Sequence, residues 1–153
     1  MTVQAHTLTP EQLKALGPKR ITASGPFDAK IDSIPVTFQT TTLSRDYDRK
    51  VFKVNARHAD NSVTLKKLFI QVPDSVEVGK VIRLEEQEFT DVEVWYSVES
   101  PTDHYTVSGI MGELLIIGLA PGVIKIKGRL NATTDNDAHG NKHTLEVDFD
   151  LTS

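Results

Sequence analysis

The sequence predicts an all-β protein, an antiparallel β-sandwich or barrel with one short N-terminal helix. Three observations predict it. From residue 27 onward, short runs of alternating apolar and polar residues follow one another at regular spacing, as half-buried strands require. Turn residues separate the runs at 44–48, 59–62, 73–75, 100–103 and 120–122. No helical periodicity lies between the runs, so the crossover helices of a parallel sheet are lacking. The chain has 153 residues, enough for one domain with a sizeable core. The predicted domain spans 1–153, with the helix at about 9–17 and β-structure at about 20–152.

The helix comes first. Thr9 suits an N-cap, Pro10 the first helical position, and Gln12 completes a capping box. Leu8 and Leu13 stand at the staple positions, and Gly17-Pro18 ends the turn. So short a helix holds only if Leu13 and Leu16 pack on something, which places it across one end or face of the β-structure. Strands are then expected at 27–32, 35–43, 50–58, 63–72, 80–84, 91–99, 103–109, 113–119, 123–134 and 143–152. Within 63–72 the apolar parity switches at Lys66-Lys67, and a bulge there would account for it. The run 113–119 is apolar on both faces, which predicts a central strand covered on its second side by the helix or by a partner chain. Ala120-Pro121-Gly122-Val123 suits a type II turn, a poor match for a tight hairpin, so this corner is expected to carry the chain between sheets.

The closing hairpin is legible residue by residue. Ile126, Gly128, Leu130 and Ala132 share one face of its first strand, and Leu145, Val147, Phe149 and Leu151 one face of its second. Matching these faces puts Leu130 opposite Val147 and Gly128 opposite Phe149. Arg129 then meets Asp148, and Lys127 meets Asp150. Opposite charges across a ladder favour this register by roughly 0.2–1 kcal/mol each. A slip of one residue would turn every apolar side chain to water. Gly128 leaves room for the Phe149 ring.

The stretch 27–38 resembles the opening strand pair of small bacterial antiparallel β proteins of uncharacterised function, lipocalin-like or sandwich in fold. The strand entering at Gly112, the Lys127-Gly128-Arg129 strand and the final strand 145–151 are similar to the closing strands of that group. The resemblance runs in order over 27–152. It implies the β fold and no activity. Many members are exported lipoproteins, whereas this chain has no cysteine and shows no signal peptide at its start.

Composition narrows the functional classes. Net charge is −4 and Lys and Arg are scattered, which argues against nucleic acid or an anionic membrane as partner. No apolar run reaches membrane-spanning length. The lack of cysteine removes thiol catalysis, disulfides and thiolate metal ligands. Cytoplasmic localisation is the default expectation, with release by a route that needs no signal peptide as the alternative.

Three groups of residues are candidate sites. The loop 135–143 with Glu146 follows the spacing of a calcium loop: Asp135, Asp137, Gly140 and Glu146 fall at positions 1, 3, 6 and 12. His139 at position 5 is a poor ligand for calcium. His139, His143 and Asp137 suit a borderline metal instead. Glu146 falls opposite Asn131 on the outer face of the hairpin. The plainer reading is a solvated hairpin tip. Trp95, the only tryptophan, points outward while Val92, Val94, Tyr96 and Val98 face the core. It is a candidate ligand platform or interface anchor, with Tyr105, Tyr47 and Phe69 as companions, or else a residue that the helix covers. His104 beside Asp103, or His139 and His143 with nearby carboxylates, are the candidates for acid–base chemistry. No nucleophile motif accompanies them. The expected function is a non-enzymatic binding or interaction module for a protein or small ligand. A structural subunit, a homo-oligomer pairing through edge strands, and a small enzyme are the alternatives.

Overall fold

The computed structural model describes residues 22–59, 63–87, 91–120 and 124–153. The described residues form ten strands and one 3-10 turn. The strands are β1 (Phe27–Ile31), β2 (Ile34–Val36), β3 (Thr40–Asp46), β4 (Val51–Ala59), β5 (Leu65–Pro73), β6 (Val81–Arg83), β7 (Glu93–Glu99), β8 (His104–Ala120), β9 (Lys125–Thr134) and β10 (Thr144–Thr152). They pair in the order β2-β1-β10-β9-β8-β7-β5-β4-β3, with β6 beside β8. All pairings are antiparallel, and the sheet curls into a half-barrel. The predicted helix at 9–17 lies outside the described residues.

The closing hairpin adopts the expected register, with Leu130 opposite Val147, Gly128 opposite Phe149 and Arg129 opposite Asp148. Arg129 Nε donates to Asp148 Oδ1 at 2.8 Å. Burial on β9 alternates without a break from Ile126 to Ala132. A Cβ on Gly128 would lie 2.7 Å from Phe149 Cζ and 2.9 Å from the Leu115 carbonyl oxygen. The glycine is therefore needed for the ring above it. Ile126, Leu130, Leu145 and Leu151 join Leu43, Phe52 and Leu114 in a core from which water is excluded.

β8 departs most from expectation. Two strands, 103–109 and 113–119, were predicted, and the chain makes one strand of 17 residues. Its first part pairs with β7 as far as Trp95–Ser108, and from Gly109 onward it pairs with β9. Register shifts at Gly109/Met111 and Ile116/Gly118 bend it. Gly112 has φ 119°, and a Cβ there would lie 2.1 Å from the Asn131 carbonyl oxygen. The register shift at Gly109/Met111, and not a turn, separates the two predicted strands. Of the run 113–119, Glu113–Leu115 lies between β9 and β6 and is central as expected, while Ile117 on the outward face is 40% exposed.

Other boundaries also move. The predicted strand 35–43 divides into β2 and β3. β3 runs on to Asp46, so the turn falls at 47–50 rather than 44–48, with Asp46 Oδ1 accepting the backbone N–H groups of Asp48 and Arg49. No bulge occurs at Lys66-Lys67, because β5 pairs with β4 in one continuous register from Leu65 to Pro73. The parity switch instead reflects an outer face with apolar residues of its own, Leu65 and Phe69. Ala120 pairs with Lys125, so the corner after β8 closes a hairpin and does not lead to another sheet.

Residues 22–24 link β3, at one edge of the sheet, to β10 near the other. Thr22 bridges to Thr42 on β3, and Ser24 to Thr152 on β10. The backbone N–H of Ala23 donates to the Thr41 carbonyl, and Ser24 and Thr152 exchange two hydrogen bonds.

Gly112→Ala should be more destabilising than Gly128→Ala in urea unfolding. The first puts a side chain 2.1 Å from backbone at positive φ, whereas the second meets the Phe149 ring and, less closely, the Leu115 carbonyl oxygen without a positive φ, at a cost of roughly 1–3 kcal/mol. Phe149→Leu in the Gly128→Ala background should recover part of that loss. The Arg129–Asp148 pair is more than half exposed, so a double-mutant cycle should give a coupling of under about 1 kcal/mol.

Candidate functional site

Three turns meet at one end of the half-barrel. Asp32 and Ser33 form the two-residue turn between β1 and β2, with φ of 54° and 67°, the left-handed pair that a tight hairpin requires. The loop 135–143 joins β9 to β10. Residues 100–103 join β7 to β8.

Asp137 organises the long loop. Its Oδ1 accepts the N–H of His139 at 2.8 Å and of Asn141 at 3.0 Å. Its own N–H donates to the Asn141 carbonyl, and Gly140, at φ 79°, donates back to the Asp137 carbonyl. Its Oδ2 faces His143 Nε2 at 2.7 Å. The other ring nitrogen, Nδ1, lies 2.7 Å from Asp32 Oδ2. Asp32 Oδ1 also accepts the Thr144 N–H at 3.0 Å. His143 therefore ties the β1–β2 turn to the β9–β10 loop. Its ring stacks on Tyr105 at 5.5 Å, with Tyr96 at 6.0 Å. The Asp137 side chain is 4% exposed, that of His143 12% and that of Asp32 45%.

Electrostatics follow from these contacts. Burial opposes a charge on His143, but the hydrogen bonds to Asp32 and Asp137, and their charges, outweigh it and raise its pKa above the ordinary 6.5. The backbone N–H of Asn141, with burial opposing it and His143 and His139 adding to it, holds the Asp137 carboxyl down to about 2. Burial, then the Asp137 and Asp103 carboxylates, push the Tyr105 hydroxyl up. His139 Nε2 meets Asp103 Oδ1 at 2.6 Å, and that hydrogen bond and charge raise the His139 pKa.

The five residues predicted as metal ligands do not converge. Asp135 Oδ1 accepts the Ser108 N–H, Asp137 and His143 hold one another, and His139 turns to Asp103. Glu146 stands on β10 between Lys30 and Asn131. Among the described residues, no group of three or more His, Asp or Glu side chains could hold a metal ion. Both ring nitrogens of His143 face carboxylates, whereas the His139 side chain is 60% exposed. His104 is 78% exposed, with Glu99 3.8 Å away.

The predicted aromatic platform separates into three places. Trp95 faces outward and stacks on Phe69 across the β5–β7 ladder, ring centroids 5.0 Å apart. Tyr105 pairs with Val98, which puts it on the opposite face, against His143. Tyr47 lies in the β3–β4 turn with the Arg45 guanidinium over its ring at 4.8 Å. Trp95 instead borders a groove of about 430 Å³ with Glu85, Glu93, Val94, Gly109 and Ile110. The groove opens where β8 leaves β7, just past the Trp95–Ser108 pair.

Sequence reasoning missed Asp32 and Tyr96 as partners of His143, and the groove beside Trp95. Asp32 had one available signal, its place at the end of the predicted strand 27–32, two residues before the next predicted strand at 35–43.

The pH dependence of stability has a definite sign. The raised pKa of His143 means its contribution is complete below about pH 6.5 and is lost as pH rises through the folded-state value. The lowered Asp137 contributes above about pH 3.8 and fails as pH falls toward 2. The melting temperature should therefore be highest between these limits. His143→Gln should lower it by roughly 5 °C near pH 6 and flatten the alkaline limb, as read by scanning calorimetry. No protein-family model, curated protein or solved structure matches this chain.

Proposed function

We propose that the protein is a non-enzymatic binding module whose ligand sits in the groove beside Trp95. The carrying observation is the seam itself. There, an outward tryptophan, already oriented by Phe69, borders a concavity of about 430 Å³. A volume of that size suits a small ligand or one or two side chains of a partner. The groove combines an aromatic edge, apolar Val92 and Ile110, and the carboxylates of Glu85 and Glu93. Aromatic rings bind the C–H faces of sugars, and carboxylates accept their hydroxyls. A hydroxyl-rich ligand such as an oligosaccharide fits this mixture. The commitment of His143 to two carboxylates supports the binding reading over the hydrolytic one.

A second reading, an assembly subunit, draws on Val81 and Ile117. These are 45% and 40% exposed on and beside the short strand β6, a place where another chain could pair.

Trp95 is the sole tryptophan and so reports directly on its groove. Titration with soluble oligosaccharides up to about 10 mM, a range reaching millimolar affinity, should shift or quench its emission saturably. The same sugars should perturb the amide NMR signals of Gly109 and Ile110 in wild type and not in Trp95→Ala. Unchanged emission and amide signals across glucose-, galactose- and N-acetylglucosamine-based series would remove the sugar reading. A dimer mass in native mass spectrometry, lost on Val81→Lys, would favour assembly.

A further inference from the structure

His143 is held by two carboxylates through two ring nitrogens, each contact at 2.7 Å. A neutral imidazole has one N–H and one lone pair. Both contacts are favourable together only while the ring carries two protons. Without the second proton, a lone pair faces a carboxylate oxygen at hydrogen-bond distance, and one arm must let go.

The surroundings decide which arm. Asp137 is 4% exposed, and its Oδ1 is bound to two backbone N–H groups, so it can neither swing away nor recover hydration. Asp32 is 45% exposed, sits at the tip of a two-residue turn, and can return to water. A carboxylate rehydrates readily at the surface and expensively in the interior. The remaining proton therefore stays on Nε2, bonded to Asp137. The other groups facing the ring do not replace Asp32: Tyr96 on β7 and Tyr105 on β8 present ring faces and edges, and the nearby Asp103 is paired with His139.

We propose that His143 is a proton-operated latch: the imidazolium clasps the β1–β2 turn through Asp32, and the neutral ring releases that turn while keeping the β9–β10 loop. The turn set free lies at the edge of the sheet. Among the described residues β2, a three-residue edge strand, pairs only with β1, and Ile34 next to the turn is 65% exposed. β2, which follows the freed turn, also borders a separate groove of about 410 Å³, lined by Pro35 and Val36 together with Ala29, Lys30, Arg129 and Glu146. Release of the latch would change the shape of that groove without touching the seam beside Trp95.

Two amides report the latch: Thr144 N–H, which donates to Asp32 Oδ1, and Asp32 N–H, which donates to the Thr144 carbonyl. Hydrogen-exchange protection factors, which remove the intrinsic effect of pH, are compared on the full chain at about pH 5.5 and about pH 9, either side of histidine titration. Wild type should lose about tenfold protection at both amides at the higher pH, while the His139 and Asn141 amides on the Asp137 arm keep theirs. Asp32→Asn is the control that folds, because asparagine accepts left-handed φ and retains an acceptor for Thr144. Its carboxamide can accept from the charged ring or donate to the neutral one, so the pH dependence at Thr144 should vanish. Equal wild-type protection at both pH values would overturn the latch. So would loss at His139 and Asn141 together with Thr144, or a pH dependence unchanged in Asp32→Asn.

Discussion

The structure depends on one strand that belongs to both halves of the sheet. β8 must pair with β7 at its start and with β9 along the rest of its length. A regular strand of 17 residues could not serve both and still wrap a core, because an unbroken pleat twists only gradually. The two register shifts and the positive φ of Gly112 supply the bend. The backbone of β9 comes so close at Asn131 that no side chain is tolerated at Gly112. Bending at that point lets the inner faces of β3–β5 and of β9–β10 share one set of buried residues, from Phe52 and Ile70 to Leu130 and Leu145.

Legibility in the sequence followed the number of independent signals at each position. The β9–β10 register was readable because burial and charge choose the same alignment, and either alone would leave a slip open. β8 was not readable as one strand. A bulge resets side-chain parity, and parity is the signal from which a strand is recognised. The Trp95 orientation followed from alternation, but its groove did not, since it arises from the divergence of β7 and β8 and not from any local pattern. The loop 135–143 looked like a cation site because clustered carboxylates invite one. What the spacing could not show is that each carboxylate finds its own donor. Asp32 is separated from His143 by 111 residues, so no local rule connects them.

Two ion pairs of nearly equal length carry different weight. Arg129–Asp148 is 2.8 Å long, and both side chains are more than half in water, where Coulomb attraction is offset by hydration and side-chain freedom. It assists register and adds little else. His143 and Asp137, at 2.7 Å, are largely removed from water, so the loss of either partner leaves a buried polar group unmatched. Distance alone ranks them as equals. Burial separates them, and with them the surface device from the structural one.

The groove and the histidine cluster both depend on β8, and they meet at Ser108, which lines the groove and donates its N–H to Asp135 of the β9–β10 loop. The groove opens at Gly109, where the strand leaves β7. The cluster meets the strand at Tyr105, before the first register shift and on the opposite face from Trp95. Strain introduced at Gly112 alters the path of β8 and therefore acts on the seam and on the core together. A proton lost from His143 acts on the β1–β2 turn, which is separated from the seam by β10, β9 and β8 itself. The latch moves the β1–β2 turn and leaves the β9–β10 loop in place, with its Asp135–Ser108 contact at the rim of the groove, so a ligand at Trp95 and a change of protonation at His143 are expected to act independently.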